Sequence, residues 1–281
     1  MDSLVFAAVL LAAAAHAGWN ATIKRGLDPL VMTVLIAAGA GVIALPILAW
    51  GGLPAPQARP WVIASVLVHL GYFVGLTEAY RNGDLAQVYP IARGAAPLLT
   101  AGVSTLWLGE RLGALGWIGL LGLVAGVLML SLRGGGDLGR LDRRAVGFAL
   151  FTALTVCAYS VIDGVGVRAA GDALVYAAAL FVGNGVVMTL YGLARRGPRL
   201  IAAASADWRP SLAGGGLQVA SYAIALWAMT LAPIAVVAAL RETSVLFGAL
   251  IAVLFLGEPL RRTRIAAALM IVAGLVLIRL A

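Results

Sequence analysis

The 281-residue chain is 62% hydrophobic and only 11% charged, which leaves too few polar side chains to cover a water-facing surface, since soluble domains carry roughly 25% charged residues. Its 20 Lys+Arg against 12 Asp+Glu give a net charge of +8, but these bases sit mostly in short connectors such as Arg133 to Arg144 and Arg195 to Arg209, a pattern of membrane topology and not of nucleic-acid binding. The single cysteine, Cys157, lies inside an apolar run and excludes both an intrachain disulfide and a multi-cysteine metal site.

A membrane-spanning helix needs about 20 mostly apolar residues. Ten runs approach that length: 3–23, 30–50, 61–80, 85–107, 113–132, 145–166, 173–194, 211–231, 233–256 and 263–280. Around Ala15-His16-Ala17 the first run resembles a signal-peptide cleavage site, but its leading flank holds Asp2 and no Lys or Arg, unlike a signal peptide. A retained first helix is expected. The runs are too long, and alternate too little, for barrel strands. Helices satisfy their own backbone in lipid, and small residues such as Gly119, Gly122 and Gly126 allow close helix approach.

The chain repeats internally. Trp107-Leu108-Gly109-Glu110 matches Phe255-Leu256-Gly257-Glu258 at an offset of 148, and at that offset Arg93 falls on Arg241. The Trp19-Asn20 helix matches the Tyr159-Ser160 helix at an offset of 140. Two repeats, 1–135 and 145–281, each hold five helices. An odd number per repeat forces opposite orientations, which gives the inverted architecture typical of secondary transporters with a central site. The expected fold is an all-α membrane protein of ten transmembrane helices in two inverted five-helix repeats.

These motifs resemble the drug/metabolite transporter superfamily, specifically its EamA-type family with two EamA domains. Each Leu-Gly-Glu motif closes an apolar helix that begins near a proline, Pro90 or Pro233, and His16 to Asn20 followed by Lys24 is similar to the family's opening helix. The resemblance covers essentially the whole chain. It implies transport of small metabolites without nucleotide hydrolysis: amino acids, sugars, nucleotide sugars, cations or drugs. The Tyr89 to Gly94 and Arg241 to Ser244 segments resemble a subgroup of bacterial members, some associated with phosphonate use.

A charge at mid-span costs roughly 2.5–3.5 kcal/mol on insertion scales, so it requires a partner, a watery cavity or a function. Arg93 and Arg241 lie about nine residues into the fourth and ninth runs. They are expected to bind an anionic group by forked hydrogen bonding, with Glu242 binding an amine or carrying a coupling proton. The alternative is an internal Arg–Glu pair joining the two helices. Glu78 is a second candidate for proton coupling. His16, Asn20 and Lys24 share a face of the first helix; a role in substrate binding is expected of His16 and Asn20, whereas Lys24 snorkels to the interface. Tyr72 and Tyr89 in one repeat, and Tyr222 and Trp227 in the other, are candidates to enclose a cation or an apolar side chain, packing being the alternative. Asp163 and Asn184 are read as lone interhelical hydrogen-bonding groups. Pro90 and Pro97 bracket Arg93, so the fourth helix is expected to be less regular than the ninth.

No His-Glu-x-x-His, Gly-x-Ser-x-Gly or Walker motif occurs, so no enzyme, metal or cofactor is expected. The expected function is a secondary transporter that moves an amino-acid-like, phosphonate-like or other amphoteric or anionic metabolite by alternating access, the two five-helix bundles rocking about a central site. A lipid-carrier flippase, a cation or drug exporter, and a structural membrane protein are the alternatives. The expected partners are a small-molecule substrate and membrane lipids, and the expected setting is the bacterial cytoplasmic membrane, as a multi-pass monomer.

Orientation follows from the bases. Counting alternate connectors puts Lys24, Arg25, Arg81, the 133–144 and 195–209 clusters and Arg261 to Arg264 on one side. The positive-inside rule makes that side cytoplasmic and both termini external. A C-terminal reporter that works only in the cytoplasm is therefore expected to stay silent; an active one reverses the assignment.

Overall fold

The computed structural model describes residues 1–23, 28–82, 85–132, 143–256 and 262–281. Its α-helices are α1 (Ser3–Ile23), α2 (Pro29–Gly51), α3 (Arg59–Asn82), α4 (Leu85–Trp107), α5 (Ala114–Leu132), α6 (Arg143–Ala170), α7 (Ala173–Arg196), α8 (Arg199–Ala206), α9 (Trp208–Leu231), α10 (Ile234–Arg241), α11 (Ser244–Leu256) and α12 (Arg262–Leu280), with a 3₁₀ turn at Pro56–Ala58. No strand occurs among the described residues. Eight segments of these residues are long and apolar enough to cross a membrane, and Ala114–Leu130 is a shorter apolar helix. Many large apolar side chains are exposed, Leu11, Ile63, Leu121 and Leu269 among them, as lipid-facing surfaces require. Exposed tryptophans stand at helix ends: Trp50, Trp61, Trp107 and Trp208. There their amphipathic rings suit the headgroup level.

The ten runs correspond to α1–α7, α9, α10 with α11, and α12. Two features differ from the sequence expectation. The basic connector after α7 contains the short helix α8, which buries Leu200. And α4 runs unbroken past Pro97, whereas the ninth run divides between α10 and α11. The irregular member of that pair is the one without an internal proline.

The helices form two compact units. One comprises residues 1–6, 71–161 and 232–281; the other comprises 7–70 and 162–231. Each takes helices from both halves of the sequence.

The first unit is organised by α5 against α12. A Cβ on Gly119 would stand 2.7 Å from the Gly274 carbonyl oxygen, and one on Gly126 would stand 3.0 Å from that of Ala267. At the 148 offset Gly119 corresponds to Ala267 and Gly126 to Gly274. Exchanging the two helices therefore maps the contact onto itself, the mark of a two-fold relation. One residue number rises as the other falls, so the helices are antiparallel.

The second unit repeats this device with α2 and α7. Gly41 packs on the Phe181 carbonyl and Gly185 on that of Ala37, and both pairs are related by an offset of 144. The helix starts agree at the same offset. Asp28 accepts from Leu30 N at 2.9 Å, and Asp172 accepts from Leu174 N at 2.7 Å and Val175 N at 3.2 Å. Both are N-caps that satisfy otherwise orphaned amides. Asp28 also pairs with Arg196 at the end of α7, as antiparallel packing allows. A third close contact sets Gly215 of α9 against Gly39 and Ala40 of α2.

Without glycine these crossings overpack against backbone, which cannot rotate away. Gly119→Leu and Gly274→Leu are each expected to destabilise the detergent-solubilised protein by about 1–3 kcal/mol, read as a lower melting temperature. At Gly102 a Cβ meets nothing within 4 Å, so Gly102→Leu leaves the melting temperature unlowered. An equal fall in all three variants contradicts the crossing.

Candidate functional site

The chain Arg241-Glu242-Thr243-Ser244 interrupts the α10–α11 segment in the first unit. Thr and Ser hydroxyls compete with helical bonding, and here the hydroxyl of Thr243 donates to the Leu240 carbonyl at 2.7 Å. The backbone tightens to i→i−3 bonds: Glu242 N to Ala239 O, Thr243 N to Leu240 O and Val245 N to Glu242 O, each 3.1 Å. The interruption is thus a satisfied turn inside an apolar segment. Non-helical backbone at membrane depth is tolerated only where protein or a cavity surrounds it, and Glu242, Thr243 and Ser244 are all buried.

Arg93 of α4 reaches this turn. Its Nε lies 2.9 Å from Glu242 Oε2, and its Nη2 donates to Ser244 Oγ at 2.8 Å. Arg241, half-buried beside them, also acts electrostatically on Glu242. Two guanidiniums thus share one carboxylate, and the N-terminal end of α11, where helix amides present partial positive charge, adds to the same side of the balance. The internal Arg–Glu pair weighed from the sequence is present, with Arg241 acting on the same carboxylate.

The Leu-Gly-Glu motif acts at the other end of α10. Gly109 has φ +68°, a left-handed conformation that suits glycine, and it turns the chain out of α4. The amides of Leu108 and Glu110 both return to the Ser104 carbonyl, at 3.2 and 3.1 Å. Glu110 then accepts from Ala235 N at 3.4 Å, at the first turn of α10, where an acidic group complements the helix dipole. The motif is a helix stop joined to a cap on a distant helix, a role the sequence reading missed. Its second copy at Gly257-Glu258 lies outside the described residues.

The second unit holds a different polar cluster. Asp163 of α6 is fully buried and accepts from Tyr176 Oη of α7 at 2.9 Å and from Tyr222 Oη of α9 at 2.5 Å. On α3, His69 packs edge-on to the Tyr222 ring with centroids 6.1 Å apart, and Ser65 and His69 both interact with Asp163. An open cleft of about 630 Å³ lies at the end of α6, the start of α7 and the end of α9, lined by Arg168, Asp172, Ile224, Trp227 and Thr230 among others. Arg168 Nε donates there to the Met229 carbonyl at 2.8 Å.

The expected site residues thus fall in two places. Arg93, Arg241 and Glu242 come together in the first unit, where Tyr72 stacks edge-on to Phe73 and Tyr159. His16, Asn20, Tyr222 and Trp227 belong to the second. His16 accepts from Trp19 Nε1 at 3.3 Å, and Asn20 donates to the His16 carbonyl at 2.8 Å, so both have partners on their own helix. Trp19 itself is buried with Met32 and Ile36. Asp163, read as a lone polar residue, is the centre of a network. Lys24 and the side chains of Glu78 and Tyr89 lie outside the described residues.

A family model described as the EamA-like transporter family matches this chain twice, over residues 3–132 and 143–280. A spermidine export protein MdtI of Enterobacter sp. (strain 638) is 35% identical over 75 residues, 26% of this chain and 69% of that protein. The MdtI protein of Yersinia pestis (strain Pestoides F) matches with the same identity and coverage. A solved crystal structure, at 19% identity, superposes with a TM-score of 0.76 over 98% of this chain and 96% of its own, and so shares the fold. The chain is a multi-pass membrane transporter that belongs to the EamA-like transporter family.

Proposed function

We propose that this chain moves a small amphoteric or anionic solute, of the amino-acid or phosphonate kind, by alternating access across the bacterial cytoplasmic membrane. One observation supports the reading: two guanidiniums, Arg93 and Arg241, gather with Glu242 and Ser244 at a buried interruption of the α10–α11 segment. Arg93 spends one carboxylate contact on Glu242 and another donor on Ser244, and Arg241 adds a second guanidinium beside them. Guanidiniums stay charged at any physiological pH and match carboxylate or phosphonate oxygens two at a time. An anionic group of the solute binds these guanidiniums, and Glu242 holds a substrate amine when the solute is amphoteric. The sequence halves 1–135 and 145–281 act as the inverted repeats. Because one chain carries both orientations, it works as a monomer.

A second reading rests on the likeness to spermidine export proteins: the solute is a polyamine, and Glu242 is the group that receives its ammonium. The two readings assign opposite residues to the substrate, so one screen separates them.

Purified protein is heated in the presence of single amino acids, aminoalkylphosphonates, sugars, choline or spermidine. A solute at about a hundred times its dissociation constant stabilises the fold by roughly 2.7 kcal/mol. The expected result is stabilisation by an anionic or amphoteric solute that disappears in Arg241→Ala. It disappears also in the double variant Arg93→Met, Glu242→Gln, which removes both members of the ion pair at once. Stabilisation by that solute undiminished in both variants ends the proposal. Stabilisation by spermidine alone, lost in Glu242→Gln, establishes the second reading in its place.

Stability separates the pair from the site. Arg93→Ala leaves Glu242 without its closest cation, and breaking a buried pair costs about 3–5 kcal/mol. The expected order of melting temperatures is wild type, then the double variant, then Arg93→Ala. A single Arg93→Ala variant as stable as wild type would falsify the ion pair.

A further inference from the structure

Asp163 takes no part in the charge cluster described above, yet it has no exposed surface. An ionised carboxylate in such surroundings needs full compensation. The groups facing it come from three other helices. Tyr176 of α7 and Tyr222 of α9 donate to its two oxygens separately, Oδ1 and Oδ2. From α3, the Ser65 hydroxyl and the His69 ring interact with it as well. On its own helix Gly166 packs against the Tyr176 hydroxyl and Trp61. A side chain at 166 would push Tyr176 away, so glycine there lets the hydroxyl reach across one turn to Asp163. The carboxylate is enclosed too tightly for a solute, and the ligand small enough to enter is a proton.

Three details give that proton a defined place and route. First, a tyrosine hydroxyl both donates and accepts. When Asp163 Oδ2 takes up a proton, its new O–H donates to Tyr222 Oη, and the tyrosine hydrogen turns away; release reverses both changes. The Asp163–Tyr222 hydrogen bond is therefore kept in either state, unlike one to lysine or arginine, which only donate. Second, His69 Nδ1 lies 2.9 Å from the Ser65 carbonyl oxygen, which only accepts. The Ser65 hydroxyl lies 3.2 Å from the same nitrogen; in the tautomer that donates from Nδ1 to the carbonyl, the ring gains and loses its second proton at Nε2. Third, His69 is half-buried where Asp163 is fully enclosed, so the imidazole takes a proton from outside the network and hands it inward. Bonds balance at each step: uptake at Nε2 forms an N–H as the outside donor loses its proton, and transfer inward breaks that N–H as the carboxylic O–H forms.

We propose that Asp163, Tyr222 and His69 form an exchangeable proton site within the membrane-embedded part of the protein, with Asp163 as the acceptor and His69 as the entry group. The transporter reading enters only in what the proton does, namely couple a gradient to solute movement; the existence of the site does not depend on it.

The test uses the full chain reconstituted in phosphatidylcholine vesicles, with infrared difference spectra recorded between acid and neutral pH and no solute present. The wild type is expected to show the carbonyl stretch of a protonated carboxylic acid that comes and goes with pH. Asp163→Asn removes that band, Tyr222→Phe changes its frequency through the lost hydrogen bond, and His69→Gln displaces the pH at which it appears by about one unit, the usual effect of a nearby charge. A pH-dependent carboxylic spectrum that is the same in Asp163→Asn as in the wild type overturns the proposal, as does a wild-type spectrum with no such band. If Asp163→Asn fails to fold, Tyr222→Phe decides alone: an unaltered band in that variant also overturns it. Because no transport is measured, failure here is separate from failure of the solute screen.

Discussion

In hydrocarbon every polar group must find its partner inside the protein, because no water is there to replace a missing one. That constraint governs the α10–α11 interruption. Opening a helix at membrane depth frees carbonyls and amides, and this chain closes them with i→i−3 bonds and the Thr243 hydroxyl. Of the charges that come with the opening, Glu242 is held from α4 by Arg93. Removing any one group leaves others stranded, so the turn, the ion pair and the packing of α4 beside α10 stand or fall together. Glu110 at the far end of α10 ties the same short helix to the loop after α4.

Glycine solves the complementary problem. Lipid tails are as apolar as leucine, so helices gain little by hiding apolar side chains from lipid, and close backbone contact has to supply the attraction. The α5–α12 and α2–α7 crossings do this with mutual glycine contacts that the two repeats share symmetrically. Each crossing brings one helix from each half of the sequence together. The compact units are therefore assembled from both repeats, although each repeat is continuous in the chain.

Much of this was legible in the sequence, for specific reasons. The apolar runs are visible because spanning length is fixed by the bilayer. The 148 offset is visible because Leu-Gly-Glu survives in both copies, and it carried Arg93 onto Arg241. The 144 offset linking Asp28 with Asp172 escaped, because the connectors change length between helices and no single offset serves the whole chain. Pro90 and Pro97 pointed to a disturbed fourth helix, since proline removes an amide locally; Pro97 is nevertheless accommodated in continuous α4. The interruption lies instead where a polar run meets a partner 149 residues away in sequence, Arg93 to Glu242. Asp163 looked solitary because its tyrosines are 13 and 59 residues distant. Local rules registered the residue and could not register the network.

The two polar clusters differ in the chemistry open to them. Arginine is donor-only and keeps its charge, so pH does little to reset the Arg93–Arg241–Glu242 group, which suits the recognition role proposed for it. The partners of Asp163 are hydroxyls and an imidazole, which donate or accept as required, so that group can pass between two satisfied states. A gradient does work only through a group that changes state during the cycle. A permanent charge suits recognition and an exchangeable one suits coupling. On the proposed readings the two centres are built from different helices, so substitutions are expected to alter solute affinity and proton exchange independently.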